Sequence, residues 1–591
     1  MFFRSKITKT GYATQLVESY RDCEGNPRQK VILSLGGANL PKELWHSVAE
    51  TIEAHFQGTL FLFPPSQEVS DWALKIIREM EKKGWSPRHT ETQKAISVQP
   101  HTITHRETTQ LGPELVALKA WETLGFPELL SKIGLNKKQQ IDACLSILNR
   151  LIDPCSEYAL TEWVKTTSFE DLFKRPLRVL SKDRFYRVAD LLLKHKETIE
   201  KALNKKEQTL FNLKRTIFLY DLTNTYFEGR SNSNPKARRG RSKEKRNDAP
   251  LVSVGLVLDE EGFVLRHEVF SGNTHDSQTL LEMVEKLQKQ EEKPLIILDS
   301  GFVSAENLKM LKAKGFDYIV VGRRQTRLAY EEEFQTKPFQ EIPGREGKPS
   351  VQVATVDEGD ERIILCMSQA RGEKEKQMVS QAEERYLQDL RKLRNRVKKG
   401  RLKKTETIQK ILGKITERHP RVARYYTVHL DDSNEIVWER LDKKYHSDCQ
   451  LLGGYYLRSS RKDLDDQTIW KLYITLTRVE SGFRALKSDL GLRPIFHQRE
   501  DRCDSHILVT ILAYRILHWI EYTLQTHKIT KSWTTIKRLL QTHCYTTIIC
   551  PSEQGTVYHI RIAGTPDHEQ SRLYALFGID WSKLPRKQVA L

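Results

Sequence analysis

Apolar and polar positions along the middle of the chain fall into short unbroken runs closed by polar punctuation: "RTIFLYD", "APLVSVGLVLD", "FVLRHEVF", "PLIILDSGF" and "FDYIVVG". Runs of this length, rich in β-branched and aromatic residues, predict buried strands. Two segments between them, "HDSQTLLEMVEKLQKQ" and "SAENLKMLKAKG", switch to a helical period, and Gly315 closes the second. Upstream, "ELVALKAWETLGFPELLSKIG" and "QIDACLSILNRLI" predict a mostly helical stretch over 101–205. Earlier still, "YATQLVESY" and "RQKVILSL" flank the turn-rich "RDCEGNP" and predict a β-hairpin, with the amphipathic "DWALKIIREMEKKG" after it.

Three consecutive strands followed by alternating helix and strand are the order of a ribonuclease-H-like α/β core. Residues 325–460 interrupt it with strand-like "SVQVATV" and "RIILCMS" and then a highly charged helical segment. Within 391–404 nine of fourteen residues are Lys or Arg, while Leu387, Leu390, Leu393 and Val397 keep an apolar stripe. Such a run is either a solvated face or a DNA-backbone contact. The expected organisation is a mixed β-hairpin domain at 1–100, a helical domain at 101–205, the first part of the core at 206–324, an insertion domain at 325–460, the second part of the core at 461–530, and a C-terminal segment at 531–591. The helical domain reads equally as a DNA-binding or dimerisation module and as a structural layer.

Composition narrows the function. The 591 residues are too many for one core, and 38% hydrophobic with 29% charged residues describe folded domains. A net charge of +19 points to a polyanionic partner. The eight cysteines include no CxxC pair, so neither a disulfide framework nor a zinc site is expected. The opening residues have no apolar h-region, and "ILVTILAYRILHWI" (507–520) is short and holds Arg515 and His518. A buried helix, no membrane, and a reducing cytoplasm are the expectation.

The chemistry begins with carboxylates. Asp221 follows "TIFLY" and Asp299 follows "LIIL", at the rim where α/β sites form. Side by side they repel unless a divalent cation lies between them. Glu480 is the third acid. On a helical wheel, Thr477, Glu480, Arg484 and Lys487 fall within roughly 40° of Tyr473, and Leu472, Leu476, Val479, Phe483, Leu486 and Leu490 form a separate stripe. Taken alone, that polar edge also fits surface i,i+4 pairing. Asp276 reads as a helix cap and Asp259, Glu260 and Glu261 as a solvent-facing turn.

"FLYDLTNTYFEG", "IILDSGFVSAENL" and "YITLTRVESGFRALKSDLGLRPIFH" together resemble the DDE transposases of bacterial insertion sequences. The likeness is to the group with a tyrosine–arginine–glutamate–lysine signature, and within it to long members with an insertion domain. The resemblance implies Asp221, Asp299 and Glu480 as catalytic, metal-binding residues holding two Mg²⁺ ions, with Mn²⁺ able to substitute. It implies cutting at the element's terminal inverted repeats, joining of the 3′-OH to double-stranded target DNA, and a homodimer in a synaptic complex on the bacterial nucleoid. Tyr473, Arg484 and Lys487 would contact DNA near the metals. The loop with Arg238, Arg239, Arg241, Lys243 and Arg246 reads either as a DNA-tracking surface or as a solvated hairpin. One position departs from the signature: Leu476 stands where arginine is expected, with a packing role, and Arg478 points away from Glu480. A DNA-binding regulator and a nuclease that does not join strands are the alternatives.

Overall fold

The computed structural model describes all residues except 9–10, 22–26, 37–39, 58–64, 84–96, 178–179, 243–245, 247, 288–293, 345–348, 432–434 and 591. Most of the expected turn "RDCEGNP" therefore lies outside the described residues. The chain divides into two compact units, Met1–Gln99 and Pro100–Leu591.

In the first unit three antiparallel strands, Phe2–Thr8, Gly11–Arg21 and Pro27–Ser34, form a meander. One strand precedes the expected hairpin. Helices Trp45–Gln57 and Gln67–Lys82 bury Val48, Ile52, Val69, Ile76 and Met80 in a core shared with Phe3, Leu16 and Leu33.

The second unit is mixed α/β, built on a nine-stranded sheet. In chain order its strands are β1 (Ile217–Tyr226), β2 (Leu251–Asp259), β3 (Val264–Ser271), β4 (Leu295–Leu298), β5 (Asp317–Val321), β6 (Gln340–Ile342), β7 (Val351–Glu358), β8 (Glu361–Met367) and β9 (Gly454–Ser459). Their order across the sheet is β6-β7-β8-β9-β5-β4-β1-β2-β3. β3, β2 and β1 are antiparallel, and β1, β4 and β5 are parallel. Every residue of β2 is buried, which is why its sequence is an apolar run and not an alternation.

Within 325–460 four strands, β6 to β9, join the core sheet, while Tyr426–Leu430 and Ile436–Arg440 pair as a separate two-stranded sheet. β9 pairs antiparallel with β5 and β8 with β9, so the four strands extend the core sheet. A helical hairpin, Gln369–Lys398 and Thr405–Arg418, shares a core of Tyr386, Leu390, Leu393, Ile408 and Ile415 with Ile436 of that small sheet.

Helices α1 (Asp276–Leu287) and α2 (Ala305–Ala313) cover one face of the sheet with Phe218, Tyr220, Ile296 and Leu298. The opposite face packs against a helical layer that includes Lys137–Ile152, Lys182–Lys194, α3 (Asp466–Ile474), α4 (Thr477–Ser488) and α5 (Glu500–Thr526). α5 is long and apolar enough to cross a membrane by length and composition, but 78% of its apolar window is buried inside the protein. Arg515, fully buried on α5, pairs with the fully buried Glu207 at 2.8 and 2.9 Å and with Asn204 at 2.9 Å. The C-terminal strands Cys544–Pro551, Val557–Ala563 and Lys587–Ala590 close a second sheet with Thr104–Gln110, a strand inside the stretch expected to be helical.

Asp259 corrects the expectation of a solvent-facing turn. The turn exists, with Gly262 N–H donating to the Asp259 carbonyl at 3.0 Å, yet the Asp259 side chain is buried. Burial raises its pKa to about 6, and Arg215, 3.5 Å away, opposes that rise.

Candidate active site

Strand pairing positions the first two acids. β1 and β4 run parallel with Ile217 opposite Leu295 and Tyr220 opposite Leu298. Asp221 and Asp299 are the next residues on the two strands. Asp221 is not at a strand end, contrary to expectation: β2 keeps pairing with β1 as far as Tyr226 opposite Leu251. β4 does stop at Leu298, and Asp299 leads into a single 3₁₀ turn, Ser300–Phe302. At Gly301 in that turn a Cβ would stand 2.8 Å from Asp276 Oδ2, so any larger residue would push the Asp276 carboxylate aside. Asp276 is the first residue of α1 and packs on this turn.

Alternation along the strands sends both acids to one face. Leu219, Leu295 and Ile297 belong to the core that holds Val479, Phe483 and Leu486 of α4, whereas Tyr220 and Leu298 belong to the opposite one. Asp221 and Asp299 share the parity of Leu219 and Ile297. They therefore face the side that α4 covers, and α4 packs on β1 and β2. Glu480 sits in the first turn of α4 and is exposed.

Tyr473 links the acids. Its phenol pKa is pushed up first by burial and then by the negative charge of Asp299, with Glu480 adding to it and Arg371 opposing. One ring thus lies within electrostatic reach of both carboxylates.

The single continuous helix assumed for the wheel is instead broken at Thr475–Leu476. The Thr475 hydroxyl donates to the Leu472 carbonyl (2.5 Å) and that of Thr477 to the Ile474 carbonyl (2.7 Å). The backbone tightens to i→i+3 bonds, with Leu476 N–H on Tyr473 O at 3.0 Å and Arg478 N–H on Thr475 O at 2.8 Å. Threonine back-bonding of this kind disfavours a straight helix. The apolar stripe survives the break: Leu476, Val479, Phe483, Leu486 and Leu490 are buried. Arg478 turns away from Glu480, donating to the Glu260 carbonyl and, at 2.9 Å, to the Glu261 carboxylate. Arg484 is exposed and Lys487 half-buried on α4.

The basic loop lies elsewhere. It joins the far ends of β1 and β2, five residues past Asp221, or about 17 Å along an extended strand. It is tied down by a bridge between Arg238 and Leu251, with backbone bonds of 3.0 and 2.8 Å. Arg238, Arg239 and Arg241 are exposed, and Lys243 lies outside the described residues. Arg246 pairs with Asp248 through two 2.9 Å bonds and lies 4.5 Å over the Tyr226 ring.

Among the described residues, only Glu157, His497 and His506 bring three ligand atoms within 4.8 Å of one another. A cation is already there. Buried Arg150 donates to His506 Nδ1 at 3.2 Å and lies 3.8 Å from Glu157, and His506 Nε2 lies 3.3 Å from the Leu492 carbonyl. Both imidazole nitrogens of His506 are used, so the cluster is a polar brace and not a metal centre.

Sequence reasoning overlooked one group beside Asp299. Arg323, Arg324, Arg327 and Arg371 surround a cavity of about 120 Å³ that Asp299 and Tyr473 also line. The run "GRRQTR" directly after the β5 apolar segment was the available signal.

The family model of the transposase DDE domain matches residues 212–516, more than half of the chain and inclusive of all three acids. The chain belongs to the DDE transposase family. A second model, the N-terminal domain of the IS1634 family transposases, matches residues 4–59 of this transposase. Membership makes it a DNA transposase, a divalent-metal-dependent enzyme of DNA cleavage and transfer. No curated protein sequence matches it. Among solved structures it is similar to a piggyBac transposase synaptic complex with hairpin DNA, at 10% identity and a TM-score of 0.34 over 76% of this chain and 82% of that one. It is also similar to a Mos1 transposase paired-end complex with the left transposon end, at 12% identity and a TM-score of 0.14 over 46% of this chain and 72% of that one.

Proposed function

We propose that Asp221, Asp299 and Glu480 are the catalytic acids of a ribonuclease-H-like core, interrupted by an insertion at 325–460, and that they hold two Mg²⁺ ions. The register that sets Asp221 beside Asp299, on the sheet face covered by the Glu480 helix, carries the reading. An all-carboxylate donor set suits a hard divalent cation. Two ions are what the family resemblance implies, one for the attacking and one for the leaving oxygen. When bound, the ions would neutralise charge on the reacting phosphate and activate the attacking hydroxyl.

The protein's own part is positioning. Tyr473 would orient the terminal nucleotide beside Asp299. Arg484 and Lys487 on α4, and Arg238, Arg239, Arg241, Lys243 and Arg246 in the loop, would bind phosphates along the duplex. The substrates would be the element's terminal inverted repeats and target DNA, brought together by a homodimer on the nucleoid, with residues 101–205 as the end-binding or dimerising part.

The test uses the full-length protein, Mg²⁺ and a duplex carrying the terminal repeat found beside its gene. Nicking at the repeat, followed by joining of the 3′-OH to a target plasmid, is the expected result. Nicking without joining would make it a nuclease. Undiminished nicking by Asp221→Asn, Asp299→Asn or Glu480→Gln would overturn the assignment of the acids.

A further inference from the structure

The cavity beside Asp299 is walled by positive charge. Arg323, Arg324 and Arg327 come from the turn after β5, and Arg371 from the first turn of helix Gln369–Lys398. A single carboxylate, Glu375, serves three of them: it lies 3.4 Å from Arg324, 3.9 Å from Arg327 and 3.4 Å from Arg371. Arg323 has no side-chain partner among the described residues. Arg327 is buried, donates to the Gly454 carbonyl at 2.9 Å, and has its pKa lowered first by burial and then by Arg324, with Arg371 also lowering it and Glu375 opposing. Four guanidinium groups against two carboxylates, Glu375 and Asp299, leave an excess of positive charge, with Arg327 buried and the other three reaching solvent. A net positive cluster of this kind favours an anion.

The walls are built for rigidity. Tyr456 lies so close to Gly322 that a Cβ there would fall 1.9 Å from the ring, and its hydroxyl bonds Thr326 at 2.6 Å. Arg371 lies 5.0 Å over the Tyr455 ring. At about 120 Å³ the space suits a phosphate group with ordered water.

We infer that this pocket binds one backbone phosphodiester of the DNA strand next to the cleavage point, with Arg323 and Arg371 as its exposed contacts. Leu476, where the signature expects arginine, is 8% exposed in the core and cannot supply that contact. The guanidinium groups of the pocket come instead from the turn after β5 and from helix Gln369–Lys398. Guanidinium is the matching donor, because its planar fork accepts two phosphate oxygens at once.

This inference rests on the assignment of Asp299 to the active site, and the test separates the two. Full-length protein is bound, in EDTA so that no turnover occurs, to a duplex carrying the terminal repeat. A neutral methylphosphonate is placed at one linkage at a time around the cleavage point. For the unaltered protein, one linkage should weaken binding about tenfold when neutralised, the scale of a charge-assisted contact. An Arg323→Gln/Arg371→Gln variant should bind the native duplex about tenfold more weakly and be indifferent to that linkage, with its response at all other linkages unchanged. Both substitutions are at exposed side chains and leave Arg327 in place, and a circular dichroism melt checks the fold. Retention of the full sensitivity pattern, or unchanged affinity for the native duplex, would overturn the pocket. Asp299→Asn in the same binding assay should keep the linkage pattern. If that variant still cuts in Mg²⁺, the acid assignment fails while the phosphate result stands.

Discussion

Asp221 and Asp299 stand one residue beyond the last parallel pair of β1 and β4, Tyr220 and Leu298, and face the same side of the sheet. Neighbouring strands lie about 4.8 Å apart, so two like charges are held close by the backbone itself. Glu480 reaches the same side from a helix more than 180 residues further along the chain. If these acids hold the metal as proposed, removing one charge should weaken metal binding more than it alters the fold. Asp299→Asn is expected to lower Mg²⁺-dependent nicking by about 10³-fold or more, with binding of the terminal-repeat duplex retained. Gel analysis of nicked product alongside a filter-binding measurement checks both halves.

Restoring the signature arginine should harm the protein. Leu476 is buried against the same core as Val479 and Phe483, and an arginine there would be a buried charge without a partner. Leu476→Arg is expected to cost about 3 kcal/mol of stability and to bring no gain in nicking. Urea denaturation followed by fluorescence would read the loss, and a variant as stable as the parent would contradict the packing role.

Arg515 and Glu207 form a fully buried pair that joins α5 to the helix Lys196–Phe211. Glu207 also lies 3.4 Å from Arg215, which in turn approaches Asp259 at 3.5 Å. Arg515→Met would leave Glu207 with one partner in a dry core, where burial already raises its pKa. A loss of about 3–5 kcal/mol is expected. Adding Glu207→Leu should recover part of it, because the stranded charge is then gone as well. A double-mutant cycle on unfolding midpoints measures the coupling.

Glu114 offers a pH test with a defined sign. It is fully buried, and burial raises its pKa from 4.5 to about 8, opposed only by its own backbone N–H. Between those values the folded chain keeps a proton that the unfolded chain releases. Folding is thus favoured at the low end, and stability falls as pH rises from about 4.5 to about 8, on the order of 1 kcal/mol per pH unit from this one group. Glu114→Gln should leave stability near pH 5 little changed, raise it near pH 8, and flatten that part of the profile. Thermal melts at the two pH values decide the point, and an equal slope in both proteins would refute it.

The strands of the core were legible because burial on both faces leaves an unbroken apolar run, as in β2 and β4. The Leu476–Leu490 stripe was legible because helix periodicity alone creates it. The break at Thr475 was not: it depends on two threonine hydroxyls bonding backward, and a wheel assumes that no such bond forms. Asp259 misled for a related reason. A "DEEG" turn looks solvated until Arg215 pairs with Asp259 and Tyr514 and His518 of α5 reach the Gly262 and Glu261 carbonyls. The strand Thr104–Gln110 is polar and mostly exposed, and only its partner at Cys544–Pro551, over 400 residues away, makes it a strand.

By itself the sequence determined the kinds of elements, the acidic residues after two apolar runs, and the polar edge that carries Glu480, because period and residue type are local properties. Pairing decided the rest. That Asp221 stands beside Asp299 is a matter of β1–β4 register. The extension of the core sheet by strands within 325–460 comes from β9 pairing with β5, and the meeting of four arginines around Asp299 comes from packing helix Gln369–Lys398 against the turn after β5. Each brings together residues tens to hundreds of positions apart, and no local pattern encodes a distance of that kind.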